Sequence, residues 1–443
     1  MRLSVIAGLA LLLFHPHLAT QNAPHPAPTT HVQVSPLPAP AAPTFDAKAA
    51  TDRYLAKVAG PARAKSDAYF EGGYWLQLLD LTVSLVVAGF LLWSGLSAHI
   101  SDWAQEKTRS KSLQVMLYGA VYVLGTALLT LPVAFYEGFL REHAYGFSTQ
   151  TLPAWLGDFA IQIMVNLVSA MIALPILYAA VRAAGRACWI WGAVVMMVLL
   201  TLQVTVYPVF VAPLTNHYQA LPESPLKHDI QSLARANGIP ADNVYWFDGS
   251  RQSNKISANV SGFLGTTRLS LNDNLLNHTS RDEILIVLGH EMGHYVLGHT
   301  TRLILLGGLV IAVAFAFMYV GFYVLTGIFG GNWQVREISD VAGLPLLMAL
   351  MSLFFFIATP IVNTINRTTE TQADIFGINA VRKPDAAATT ILKLASYRKL
   401  DPSPWEEAIF YDTPSGRTRI QTAMTWKQEH IGDADIRATA NLP

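Results

Sequence analysis

Cysteine is almost missing: Cys188 occurs once, so neither a disulfide framework nor a thiolate zinc cluster can be built within the chain. Any metal site must use imidazoles and carboxylates. Charge is also scarce, at 14% of 443 residues, and 30 Lys+Arg balance 30 Asp+Glu. There is no basic surplus to hold nucleic acid and no acidic tail. What the chain has in excess is apolar surface, with 52% hydrophobic residues, too much for an ordinary soluble enzyme.

That surface is organised. Residues 1–19 read as an export signal, since the apolar run ending near Phe14 is short of the roughly 20 residues that a bilayer needs; an uncleaved anchor is the alternative. Residues 20–73 are a linker, Pro- and Ala-rich from Asn22 to Pro43, followed by a short helical region. Four apolar segments within 74–213 and two within 301–362 (75–95, 113–137, 158–181, 188–210, 302–328 and 341–362) are long enough to cross as helices. Pro132, Pro175, Pro208 and Pro360 predict kinks around a cavity, and Asp80, Gln162, Asn166 and Gln203 are expected to face the bundle interior. The predicted fold is mainly α: a polytopic membrane helix bundle enclosing a cavity, with a small α/β domain at 214–300, the candidate site of the chemistry, and a closing domain at 363–443.

Within 214–300 the pattern predicts a helix near 225–237, strands near 243–247 and 267–271, and then an amphipathic helix opened by the capping-box pattern Ser280-Arg281-Asp282-Glu283. On that last helix stands His290-Glu291-Met292-Gly293-His294. Residues four apart share a helical face, so both imidazoles can address one ion while Glu291 lies beside the open coordination position as general base. A third ligand is required. Glu370 and Asp374, four apart just beyond the last apolar segment, could supply a ligand and a carboxylate that orients an imidazole; on spacing alone, an exposed acidic face competes. His299, five residues after His294, is expected to make a structural contact rather than to bind metal.

The pairing of His290-Glu291-Met292-Gly293-His294-Tyr295-Val296-Leu297-Gly298-His299 with an Asn363-x-x-x-Arg367-x-x-Glu370-x-x-Ala373-Asp374 pattern resembles the type I CAAX prenyl protease family of membrane gluzincins. Gly146-Phe147-Ser148-Thr149-Gln150-Thr151 resembles that family's Gly-Phe-Asn-x-Gln-Thr loop, and Ser257-Ala258-Asn259-Val260-Ser261-Gly262 its substrate strand. The resemblance implies one zinc ion per chain held by His290, His294 and Glu370, with Asp374 and Arg367 behind the ligands. It implies substrate backbone pairing along Ser257, Ala258, Asn259 and Gly262. Two departures stand out. Ser257 replaces an Asn, and Thr413 replaces the His expected to grip the substrate carbonyl, leaving Thr413 or Arg419 as the candidate oxyanion or substrate contact; Arg419 or Arg367 could equally be a structural ion-pair partner of nearby carboxylates.

The expected function is hydrolysis of peptides or membrane-protein termini by metal-activated water. The expected partners are that substrate and the lipid bilayer, with no nucleic acid. A catalytically weak or silent metal-binding scaffold or chaperone is the alternative that Thr413 motivates. Lys107, Arg109 and Lys111 in one short loop and Arg182 and Arg186 in another, against Arg141 alone between them, place those two loops in the cytoplasm and the zinc domain outside, in a bacterial inner membrane. The eukaryotic relatives implied by the resemblance face the cytosol instead.

Overall fold

The computed structural model describes residues 45–240, 244–261 and 268–437. The export signal, the Pro/Ala-rich stretch to Pro43, and Gly262 lie outside them.

Among the described residues, five helical runs are long and apolar enough to cross a membrane. The longest, Leu152–Gln203, has 52 residues, far more than a single span needs. Gly185, at φ +53°, breaks it into two helices that pack on each other, so all six apolar segments of the sequence fall in helices. Helix α1 is Ala47–Ala56, α2 Pro61–Trp93, α3 Leu96–Lys107, α4 Lys111–Phe135, α5 Leu152–Ala184 and α6 Cys188–Val206. Pro132 lies near the end of α4, just before a π-helical turn at Tyr136–Arg141. Of the polar groups expected in the interior, Gln162 donates to Asn166 at 3.0 Å.

The region after α6 folds as a four-stranded sheet in the order β1-β2-β4-β3, from β1 (Tyr218–Ala220), β2 (Val244–Phe247), β3 (Ala258–Ser261) and β4 (Arg268–Asn272), with α7 (Pro225–Ala236) against it. Pairing is parallel only between β2 and β4, and β3 is an edge. Helix α8, Arg281–Val296, begins at the expected capping box, made in both directions. Its Ile284, Leu288 and Met292 are buried against Val260, Leu269 and Leu271 of the sheet. This apolar face fixes the rotation of α8 and thereby turns the ligand-bearing face away from the sheet.

Helix α9 is His299–Trp333 and α10 is Leu344–Val381. At 38 residues α10 is about 57 Å long, nearly twice the roughly 30 Å of hydrocarbon. Its last part therefore stands clear of the membrane as a rigid extension of a span. Helices α11 (Pro384–Leu394), α12 (Pro404–Phe410) and α13 (Gly416–Glu429) close the domain.

The linker reading of 20–73 needs one correction. Helix α2 starts at Pro61 rather than near residue 74, and α1, in the region expected to be helical, is packed into the C-terminal helices. Lys427, fully buried, pairs with Asp385 at 2.7 Å, and the Tyr54 hydroxyl of α1 donates to the same carboxylate at 2.7 Å. Removing one partner of such a set would strand a buried charge.

Candidate metal centre

Helix α8 crosses the protruding part of α10 at close range because both carry small residues at the crossing. A Cβ on Gly377 would lie 3.0 Å from the backbone nitrogen of His290, and one on Gly293 would lie 3.2 Å from Cα of Ala373. Glycine admits this approach without steric cost. The crossing brings together side chains that stand 76 positions apart in the sequence, from His294 to Glu370.

Three candidate metal-binding side chains converge. His290 Nε2 lies 3.1 Å from His294 Nε2 and 3.4 Å from Glu370 Oε2, and His294 Nε2 lies 3.5 Å from Glu370 Oε1. Ligands about 2.0–2.1 Å from a tetrahedral zinc would be spaced about 3.3–3.4 Å apart, so the two imidazole nitrogens and the carboxylate oxygens facing them stand at the spacing of such a site. Glu291 is half-buried one residue along the helix from His290.

The surrounding hydrogen bonds decide which atoms carry protons. Arg302 Nη1 donates to Gln372 Oε1 at 2.9 Å, and His299 Nε2 donates to the same oxygen at 3.1 Å. With that proton on Nε2, a neutral His299 presents Nδ1 as an acceptor, 3.1 Å from His294 Nδ1, which must donate. His290 Nδ1 donates to Asp374 Oδ1 at 2.9 Å. In their neutral forms both Nε2 atoms then aim lone pairs at a carboxylate. Three acceptors facing one point repel one another unless a cation lies between them, and this is the donor set that a borderline divalent ion such as zinc takes. Burial opposes charge on His290, but its bonds to Asp374 and Glu370 outweigh burial and push the imidazole up to about 10. The site draws positive charge.

Asp374 is itself gripped by Arg419, through Nε to Oδ2 at 2.7 Å and Nη2 to Oδ1 at 2.5 Å. Arg419, considered above as a substrate or oxyanion contact, is thus committed as a fork on the carboxylate that orients His290. Arg367 also differs from expectation. It donates to the carbonyls of Glu407 (2.9 Å) and Tyr411 (2.5 Å), clasping α12 to α10, and makes no described contact with the ligands. The Thr413 hydroxyl accepts from Arg398. His299, expected to make a structural contact, contacts the candidate ligand His294; Gln372 and Arg302 escaped the sequence reading.

The edge strand lies beside this centre, with β3 packed on α8. Ser257 precedes it and is locked through its backbone, its N–H donating to Asn272 Oδ1 at 3.0 Å and its carbonyl accepting from Asn272 N at 2.9 Å. Ala258 and Asn259 pair with Leu271 and Ser270 of β4 on the inner side. The loop 146–151 docks just upstream: Asn254 N donates to the Phe147 carbonyl at 3.0 Å, and the Thr149 hydroxyl donates to Ser250 O at 2.7 Å. Lys255 reaches back to Glu142 at 2.8 Å and to the Tyr69 hydroxyl at 2.9 Å. The start of the edge strand is thereby tied to the ends of two membrane helices.

Comparison with known proteins agrees with this arrangement. Residues 54–217 match the family described as CAAX prenyl protease N-terminal, five membrane helices, and residues 220–427 match peptidase family M48. The chain is 30% identical over 342 residues to the uncharacterized metalloprotease YhfN of Bacillus subtilis, covering 75% of this chain and 78% of that one. It is 28% identical to CAAX prenyl protease 1 of Saccharomyces cerevisiae, covering 69% and 70%. Among solved structures, its fold is similar to that of S. mikatae Ste24p, with a TM-score of 0.68 at 22% identity, covering 84% of this chain and 93% of the other. A membrane helix bundle joined to a small α/β domain, with two successive family matches from residue 54 to residue 427 and a relative aligned over three quarters of each chain, makes this protein an integral membrane metalloprotease of peptidase family M48, of the CAAX prenyl protease kind.

Proposed function

We propose that the protein is a zinc-dependent endopeptidase with one zinc per chain, held by His290, His294 and Glu370, and with Glu291 as general base. The observation that carries the reading is the set of contacts at 3.1, 3.4 and 3.5 Å that brings the Nε2 atoms of His290 and His294 against each other and against the two oxygens of Glu370. Zinc bound there supplies Lewis acidity and lowers the pKa of a coordinated water toward about 7. Glu291 takes the proton of the attacking water on its carboxylate and returns it to the leaving amine. Asp374, gripped by Arg419, and His299, backed by Gln372, hold the two imidazoles in the tautomer that leaves Nε2 free. The outer edge of β3, around Ala258 and Asn259, takes an extended peptide by strand addition, with Ser257 held by Asn272 so that the edge is rigid before substrate arrives.

The substrates are peptides or the termini of membrane proteins. Relatives named CAAX prenyl proteases raise prenylated C-termini as one class, and envelope-protein quality control is the other. A scaffold that binds metal without turnover is the second reading, favoured by Thr413, whose hydroxyl is already engaged by Arg398. Cleavage of a quenched peptide by the purified protein separates the two. Turnover that stops on chelation and returns with zinc is expected; turnover that survives chelation sinks the metal mechanism, and stoichiometric zinc without turnover establishes the scaffold.

The charge pattern of the short loops places the zinc domain outside a bacterial inner membrane. A C-terminal alkaline phosphatase fusion is then active and a C-terminal fluorescent fusion dark. The reverse pair of signals overturns the orientation.

A further inference from the structure

Helix α12, Pro404–Phe410, has two faces of opposite character. Glu406 accepts from the Tyr74 hydroxyl at 2.7 Å and from Lys399 at 2.9 Å, Glu407 accepts from the backbone of Ser415 at 2.8 Å, and Phe410 stacks on Tyr74 with centroids 4.0 Å apart. That face is internal. The other presents Trp405, 80% exposed, and Ile409, 39% exposed, four residues apart and therefore one above the other. A tryptophan so bare, on a short helix whose polar side chains are already satisfied inside, has no partner in the described residues.

Two membrane helices fix the level at which this face sits. On α10, Ile361 is 62% exposed, as a lipid-facing residue of a span would be, and two positions later Asn363 donates to the Ile409 carbonyl at 2.7 Å. Two residues are about 3 Å of helix rise, so Ile409 lies at the boundary where α10 leaves the hydrocarbon. On α2, Tyr74 contacts Phe410, and the next residue, Trp75, is 72% exposed where the apolar run begins. Both spans change from apolar to polar at the height of α12. Tryptophan with a neighbouring aliphatic side chain is the pair that partitions to the headgroup region of a bilayer, where an amphipathic ring satisfies both sides.

We infer that α12 is an interfacial membrane helix outside the spans, with Trp405 and Ile409 seated in the headgroup and upper acyl region of the bilayer that holds the protein. The contact is continuous with the lipid-facing surface of α2 and α10. It also has a path to the metal centre, because Arg367 clasps the carbonyls of Glu407 and Tyr411 one helical turn before Glu370. The bilayer thereby braces the helix that presents the carboxylate ligand.

Cys188 is buried, so a cysteine introduced at the surface can be spin-labelled selectively. Trp405→Cys and Ile409→Cys, reconstituted in vesicles of phosphatidylethanolamine and phosphatidylglycerol, are compared with Ile361→Cys as a lipid reference and Glu429→Cys as an aqueous one. Collision with oxygen relative to a water-soluble nickel chelate reads depth without any need for activity or metal. The expected ratios at 405 and 409 fall between the two references, with Ile361→Cys the highest. The inference is overturned if 405 or 409 matches Glu429→Cys, as it would facing a water-filled interior. It is equally overturned if neither reagent reaches them, as under a partner protein, or if Ile361→Cys itself reads as aqueous.

Discussion

Glu291→Gln is expected to leave the metal in place and remove about 10²–10⁴-fold of the hydrolytic rate, the usual contribution of a positioned general base. At about 1.4 kcal/mol per tenfold, this is about 3–5 kcal/mol of transition-state stabilisation. The amide has the shape of the carboxylate but cannot hold the water's proton or deliver it to the leaving amine. The three proposed ligands lie elsewhere, with their own supports at Asp374 and His299, so zinc content should not change. Turnover of a quenched peptide is measured together with the metal content of the same preparation. A variant with near wild-type turnover would remove Glu291 from the chemistry; one that loses its zinc would make it structural.

His299→Phe should weaken zinc about 10–100-fold, the cost usually seen when the group that orients a ligand imidazole is lost. The ring keeps its volume but offers no acceptor to the His294 Nδ1 proton. The imidazole can then rotate or place its proton on Nε2, the atom aimed at Glu370. A loss of that size equals about 1.4–2.7 kcal/mol, well short of unfolding a domain whose α8 remains packed on its sheet. Competition against a zinc-binding dye measures it. Unchanged affinity in His299→Phe would mean that the His294–His299 contact does not serve the metal.

Much of this centre was readable before any coordinates. His290, Glu291 and His294 lie within five residues, and helical periodicity alone puts the two imidazoles on one face. The capping box Ser280–Glu283, the helix at 225–236 and the strands β2 and β4 were readable for the same reason. Glu370 was a different matter. On spacing it competed with an ordinary acidic face, and resemblance, not periodicity, singled it out. The long cations were left open between a substrate contact and a structural ion pair, because their reach of several ångströms leaves many partners possible. Arg419 was considered for substrate and Arg367 for the support of Asp374; the structure puts Arg419 on Asp374 and spends Arg367 on two carbonyls of another segment. His299 was expected to make a structural contact, and its contact with His294 depends on the bend at Gly298, at φ +63°, between α8 and α9.

By itself the sequence determined the local terms: six apolar segments, a capped helix, two imidazoles and a base at helical spacing, and too little cysteine for any other kind of metal site. The tertiary structure decided what closes the site and what steadies it. A coordination sphere is a meeting of distant residues, and its geometry depends on how closely two helices cross. Here Gly293 and Gly377 let α8 and α10 approach until two imidazoles and a carboxylate face one another, and α10 is long enough to carry its carboxylate clear of the bilayer. Neither distance is encoded in any single stretch of chain.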